Sequence, residues 1–203
     1  MTSGGLNSVG RERSRRGARG LTLIEVVVSI GVISVLISLS AGALAGARRE
    51  ARRVACSANL RTLGIATERF ADANRGRLPL ATRPIDLRAG RADPIPALSA
   101  YLDAEAPRLD GDGIVVGGGP WRCPEDRAVF AETGCSYGYF PSAFMEVSLS
   151  RDPSADVTAI YLRSGWRGPV WGDRLGYHAA SGVKDGGRNY YCFDGGVRRT
   201  IEP

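Results

Sequence analysis

Side chains able to do chemistry are few in this 203-residue chain. It holds one histidine, His178, and four cysteines, Cys56, Cys123, Cys135 and Cys192. There is no Cys-x-x-Cys pair, and with a single imidazole a tetrahedral zinc site is disfavoured. No Walker loop or H-E-x-x-H pair occurs, and His178 has no nucleophile motif around it. The set of nucleophile, base and oxyanion donors goes unfilled, so a non-enzymatic role is expected. Asp110-Gly111-Asp112-Gly113 could offer oxygens to calcium, but it lacks the spaced ligands and terminal Glu of an EF-hand loop. A turn is the expected use of that segment, and no metal or other cofactor is expected.

The one acid whose position is costly is Glu25. It lies inside residues 21–47, LTLIEVVVSIGVISVLISLSAGALAGA, which contain no other ionisable side chain and no proline. As a helix this run is about 40 Å long, enough to cross a hydrocarbon core of about 30 Å. A carboxylate within a spanning helix costs about 2.5 to 3.5 kcal/mol on insertion scales, so Glu25 needs a cation at its own depth. Residues Gly31, Ser34, Ser38, Gly42 and Gly46 are small, and Gly42 and Gly46 form a small-xxx-small pair that lets helices approach closely.

Charge supports a spanning segment. The chain carries +6 overall. Residues 1–20 contribute +4, residues 21–47 contribute −1, residues 48–77 contribute +5 and the remainder −2. The positive charge therefore flanks the apolar run, and the body after it is not basic, which disfavours a dedicated nucleic-acid binder. A composition 43% hydrophobic and 24% charged excludes a wholly disordered chain and a polytopic membrane protein.

Arg19-Gly20-Leu21-Thr22-Leu23-Ile24-Glu25 closely resembles the type III signal of type IV pilins and type II secretion pseudopilins. The resemblance implies that a prepilin peptidase cuts between Gly20 and Leu21, that Leu21 becomes the N-methylated first residue, and that Glu25 serves filament assembly. The first mature residue in that family is usually Phe, and here it is Leu. Cleavage exposes an α-amino group on Leu21, and in a staggered helix bundle that amine can meet Glu25 of a neighbouring subunit. Many of these proteins break the helix at a proline where this chain has Gly42, so any unwinding there would be a glycine effect. A conventional secretory signal, cut after Ala45, is the competing processing route.

Beyond the apolar run, Cys56, Leu60, Leu63, Thr67 and Phe70 recur at spacings of four and three, the stripe of a helix facing a core. The helix should end near Asn74-Arg75-Gly76, before Pro79. Arg48, Arg49, Arg52 and Arg53 nearly balance the leader's arginines, so charge counting does not orient the segment. The leader motif places residues 48 onward outside the cytoplasm, with the arginines as a solvated or lipid-facing collar.

Residues 77–203 read as a compact β-rich body. A short helix is expected at 95–105 and strands at 136–140, 157–162, 170–173, 188–193 and 197–201, the last two joined by an Asp194-Gly195-Gly196 hairpin. The expected organisation is a leader at 1–20, a transmembrane or filament-core helix at 21–47, its amphipathic continuation at 48–76 and a globular domain at 77–203. The fold class is α+β, a long N-terminal helix packed on a small antiparallel sheet.

Cys123-Pro124 and Cys135-Ser136-Tyr137-Gly138 also resemble an arrangement in pseudopilin-like proteins, which together with the short loop between them makes Cys123–Cys135 the first-choice disulfide. Cys56 and Cys192 would then pair with each other or remain buried thiols. His178 and Asp194-Gly195 resemble a His…Asp-Gly ending of the same proteins, although a hairpin turn beside a structural histidine is the favoured reading. Some pseudopilins bind calcium, which keeps Asp110 and Asp112 in view. The partners implied are prepilin peptidase, identical or related pilin subunits, a platform protein, an assembly ATPase and the bacterial inner membrane. The different-class alternative is an anchored or secreted extracytoplasmic binding domain that never polymerises.

Overall fold

The computed structural model describes residues 21–126, 128–152, 156, 158–159, 168–176 and 187–199. The chain divides into two compact units, Met1–Ala45 and Gly46–Pro203. Helix α1, Leu23–Ala73, contributes to both.

In the first unit α1 starts at a cap that the sequence supplies. The Glu25 N–H donates to Thr22 Oγ1 at 3.3 Å, an N-cap hydrogen bond that satisfies one orphan donor of the first turn. Further along, the hydroxyls of Ser29, Ser34, Ser38 and Ser40 each donate to the carbonyl four residues earlier, at 2.7 or 2.8 Å. A polar side chain that bonds to its own helix can sit in an apolar medium without an unsatisfied donor. The helix passes through Gly42 without interruption.

In the second unit the remainder of α1 is amphipathic, as its periodicity predicts. Cys56, Leu60, Leu63 and Thr67 are fully buried, and Phe70 packs edge-on to Tyr101 at 5.8 Å between centroids. After Ala73 the backbone turns left-handed at Arg75 (φ 59°) and Gly76 (φ 77°). The Gly76 N–H closes the end by donating to the Ala71 carbonyl at 2.8 Å.

The expected α+β class is the observed one. Strands β1 (Arg108–Leu109) and β2 (Val115–Val116) form a small hairpin. Strands β3 (Tyr137–Tyr139), β4 (Pro169–Asp173), β5 (Tyr190–Cys192) and β6 (Val197–Arg198) form an antiparallel sheet in the order β3-β4-β5-β6. Alternation of aromatic residues explains its inner face. Trp171 stands opposite Tyr139 on one side and Tyr191 on the other, and the three rings are almost wholly buried, together with Trp121 and Tyr137. Burying these large rings at one sheet face removes a large apolar area from water, beside Leu60, Leu63, Ile95 and Leu98 of the same core. Trp171 also donates from Nε1 to Thr67 Oγ1 at 2.9 Å, so the sheet and α1 meet through a satisfied polar contact as well as packing.

The strand expected at 170–173 is found with Pro169 added, and those expected at 136–140, 188–193 and 197–201 are found in shortened form. Residues 200 and 201 lie outside the described residues, as does most of the expected 157–162 strand, whose Thr158 and Ala159 are helical. The 95–105 helix shrinks to α2, Ile95–Ser99. Its bonding changes at once to the three-residue spacing, with Tyr101 N–H on Leu98 O and Leu102 N–H on Ser99 O, which ends the helix. Helix α3 spans Val129–Thr133, and α4, Pro141–Arg151, was not expected. Proline at its first position is the readable signal.

Candidate processing and assembly segment

Leu21 and Glu25 stand at the start of an exposed apolar helix. Leu21 is 75% exposed, and every residue from 21 to 52 is exposed. The helix contains a window long and apolar enough to cross a membrane, with none of that window buried within the chain. Apart from the adjoining turns of α1 itself, no atom of the described residues lies within 4 Å of a Cβ built on Gly31, Gly42 or Gly46, so among those residues nothing uses these glycines for close approach.

Glu25 occupies the first turn, and its carboxylate has no hydrogen bond or ion pair among the described residues. The helix dipole favours a negative charge there by about 0.3 to 1 kcal/mol. That is smaller than the cost of taking a carboxylate into a bilayer, so the need for an external cation stands. Thr22-Leu23-Ile24-Glu25 has the spacing of a capping box, a signal that sequence reasoning passed over while weighing Glu25 for its charge. Gly20 lies outside the described residues.

The cysteine expectation needs correcting. Cys123 is bonded to Cys56, 67 residues away and with Cα atoms 4.9 Å apart, whereas Cys135 and Cys192 are buried free thiols. Neither the Cys123–Cys135 bond nor a Cys56–Cys192 bond forms. The loop between Cys123 and Cys135 is held instead by Asp126, which is buried. Its carboxylate accepts from the N–H groups of Ala128, Val129 and Phe130 and from Ser136 Oγ. Ser136 Oγ in turn accepts from the Cys123 N–H at 3.0 Å. With that loop closed by hydrogen bonds, Cys135 Sγ accepts from the Tyr137 N–H, and Cys123 is left to meet the helix. Asn59 reinforces the junction by donating to the Arg122 carbonyl at 2.8 Å. Burial pushes the Cys135 thiol up to about 12, which makes it a poor nucleophile.

Asp110 Oδ1 accepts from the N–H groups of Asp112 and Ile114, at 3.0 and 2.8 Å. The Asp110-Gly111-Asp112-Gly113 segment is therefore an Asx-type turn joining β1 to β2. Among the described residues no group of three or more His, Cys, Asp or Glu side chains could hold a metal ion. Asp194 likewise accepts from the Gly196 N–H within the β5–β6 turn and pairs with Arg198. His178 lies outside the described residues.

Gly64 lies on the buried face of α1. The structure gives it a role, since Tyr191 lies so close that an added Cβ would fall 2.1 Å from its Cε1.

Residues 15–41 match the model of the prokaryotic N-terminal methylation motif. Neither the curated proteins nor the solved structures yield a match. The matched segment contains the Gly20-Leu21 junction, Glu25 and much of the exposed apolar helix.

Proposed function

We propose that this chain is a non-enzymatic pilin-like subunit, cut between Gly20 and Leu21, methylated on Leu21 and assembled into a type II secretion pseudopilus or a type IV pilus-like filament. Residues 1–20 are the cytoplasmic leader and residues 21–47 the membrane-spanning and later filament-core helix. Residues 48–76 continue that helix, and residues 77–203 form the outward domain. The observation that carries this reading is Glu25, a carboxylate without a partner among the described residues, four positions after the residue whose amine proteolysis would expose. In the bilayer the pair Leu21 amine and Glu25 carboxylate, contributed by neighbouring copies, offsets the cost of either charge alone.

The partners are prepilin peptidase, identical or related subunits, a platform protein and an assembly ATPase. The subunit starts as a single-pass protein of the bacterial inner membrane with residues 48 onward outside the cytoplasm. Intact-mass measurement on the membrane fraction tests it: a chain beginning at Leu21 with one added methyl group is expected. A chain beginning after Ala45, or one retaining residues 1–20, would refute it and favour a solitary anchored or secreted binding domain.

A further inference from the structure

Arg48, Arg49, Arg52 and Arg53 lie on two successive turns of α1 directly after the apolar run ends. At 100° per residue they fall within an arc of about 140°, and the one acid among them, Glu50, points outside that arc. Arg48, Arg49 and Arg52 are exposed and Arg53 is half-buried. None of the four takes part in an ion pair among the described residues, and the Nε of Arg53 has no hydrogen-bond partner. Among the described residues their one side-chain hydrogen bond is from Arg52 Nε to the Arg48 carbonyl, at 3.4 Å. Like charges four apart on a helix repel each other, so the cluster opposes its own helix unless an anion is present.

From this arrangement we infer that the four arginines bind the phosphate groups of anionic phospholipids on the extracytoplasmic face of the membrane, and so set the depth of the unassembled subunit. The inference rests on the membrane-spanning reading of residues 21–47. A 27-residue helix of about 40 Å ends at the outer edge of a bilayer that measures about 40 to 45 Å with its headgroups. Side chains on a helix tilt back toward its N-terminus, which returns the guanidinium groups of residues 48–53 to the headgroup layer. All four positions are arginine, whose planar fork takes two phosphate oxygens at once, where lysine offers a single point charge. Nucleic acid is the other polyanion with this chemistry, but no aromatic side chain interleaves the cluster to stack a base.

The test uses the full processed chain in nanodiscs of equimolar phosphatidylcholine and phosphatidylglycerol, with the lipids that stay bound counted by native mass spectrometry. Phosphatidylglycerol is expected to be enriched about fivefold or more over the bulk mixture. The joint substitution Arg48→Gln, Arg49→Gln, Arg52→Gln and Arg53→Gln should abolish the enrichment. Arg61→Gln with Arg69→Gln, exposed positions further along the same helix, should preserve it. Equal retention of the two lipids by the unsubstituted chain overturns the inference, as does enrichment that survives the fourfold substitution. Duplex DNA binding that depends on the four arginines, without lipid enrichment, would also overturn it in favour of nucleic acid. A chain that fails to enter nanodiscs at all would overturn the membrane reading beneath it, an outcome distinct from the other three.

Discussion

The close approach of Tyr191 to Gly64 gives a sharp test of the packing between α1 and the sheet. Replacing Gly64 by Ala would place a methyl group 2.1, 2.3 and 2.3 Å from Cε1, Cδ1 and Cζ of Tyr191, far inside an ordinary carbon contact of about 3.5 to 4.0 Å. The ring would have to move by more than about 1 Å to restore such contacts. It is 1% exposed, its hydroxyl donates to Glu68 Oε1 at 2.7 Å, and its strand pairs with β4 on one side and β6 on the other. Overpacking of this kind costs about 1 to 3 kcal/mol. Displacing the ring also weakens a hydrogen bond to a carboxylate, worth about 1.5 to 3 kcal/mol when fully formed and less here because Glu68 is partly solvated. Against these stands a gain of about 1 kcal/mol from helix propensity. The net expectation is a loss of about 2 kcal/mol, or about 4 to 8 °C in Tm for a body of this size. Near-UV circular dichroism melts of the full chain in detergent micelles would measure it. Because Tyr191→Leu removes the clash, Gly64→Ala should cost markedly less in that background. A Tm that stays level or rises on Gly64→Ala in the unsubstituted chain would refute the argument.

Glu25→Ala should leave cleavage at Leu21 intact and abolish most filament yield, measured by sheared-filament blots; normal yield would contradict the account of the unpartnered carboxylate. Cys123→Ser removes a cross-link closing a 67-residue separation, worth about 4 kcal/mol by chain entropy, and a urea melt should show a loss of that order. Non-reducing peptide maps should join Cys56 to Cys123, and Cys135→Ser should leave that bond in place. Stability should fall at alkaline pH, because Cys135 is raised from 9.0 to about 12 by burial, and Tyr191 is raised by burial and by its hydrogen bond to Glu68. Both groups stay neutral when folded, so their contribution is whole below the unfolded values and is lost as pH rises through the folded ones. For Cys135 the decline is about 1.4 kcal/mol per pH unit above about pH 9, and urea midpoints that stay constant to about pH 11 would exclude it.

Local pattern made much of this architecture readable. The Cys56, Leu60, Leu63, Thr67 stripe has the helical period, and those four side chains are buried together. Asp194-Gly195-Gly196 has the residues of a hairpin turn, and β5 and β6 flank it. Contacts distant in sequence were harder to foresee. The Cys56–Cys123 bond joins positions 67 residues apart, and the Asp126 carboxylate network that holds the loop before Cys135 leaves no periodic trace. Gly64 shows the same limit, since a glycine in a helix reads as a weak point until Tyr191 is seen above it. At the candidate assembly segment the run around Glu25 was legible because an isolated charge in an apolar sequence is costly in any fold, whereas Thr22 was seen as part of the signal but not as the helix cap.

The Cys56–Cys123 bond also decides how the body would respond to tension. Cys56 precedes Asn59, Leu60, Leu63, Thr67 and Glu68 on α1, so a pull entering the helix from its amino-terminal side reaches the covalent link before it reaches the side chains that rest on the sheet. The hydrogen bonds of Thr67 and Glu68 are thereby shielded from shear, and peeling the helix off the sheet from that end would first require a reductant or a broken sulfur–sulfur bond. In its reduced form the same junction would have to resist that load by packing and by the hydrogen bonds of Asn59, Thr67 and Glu68.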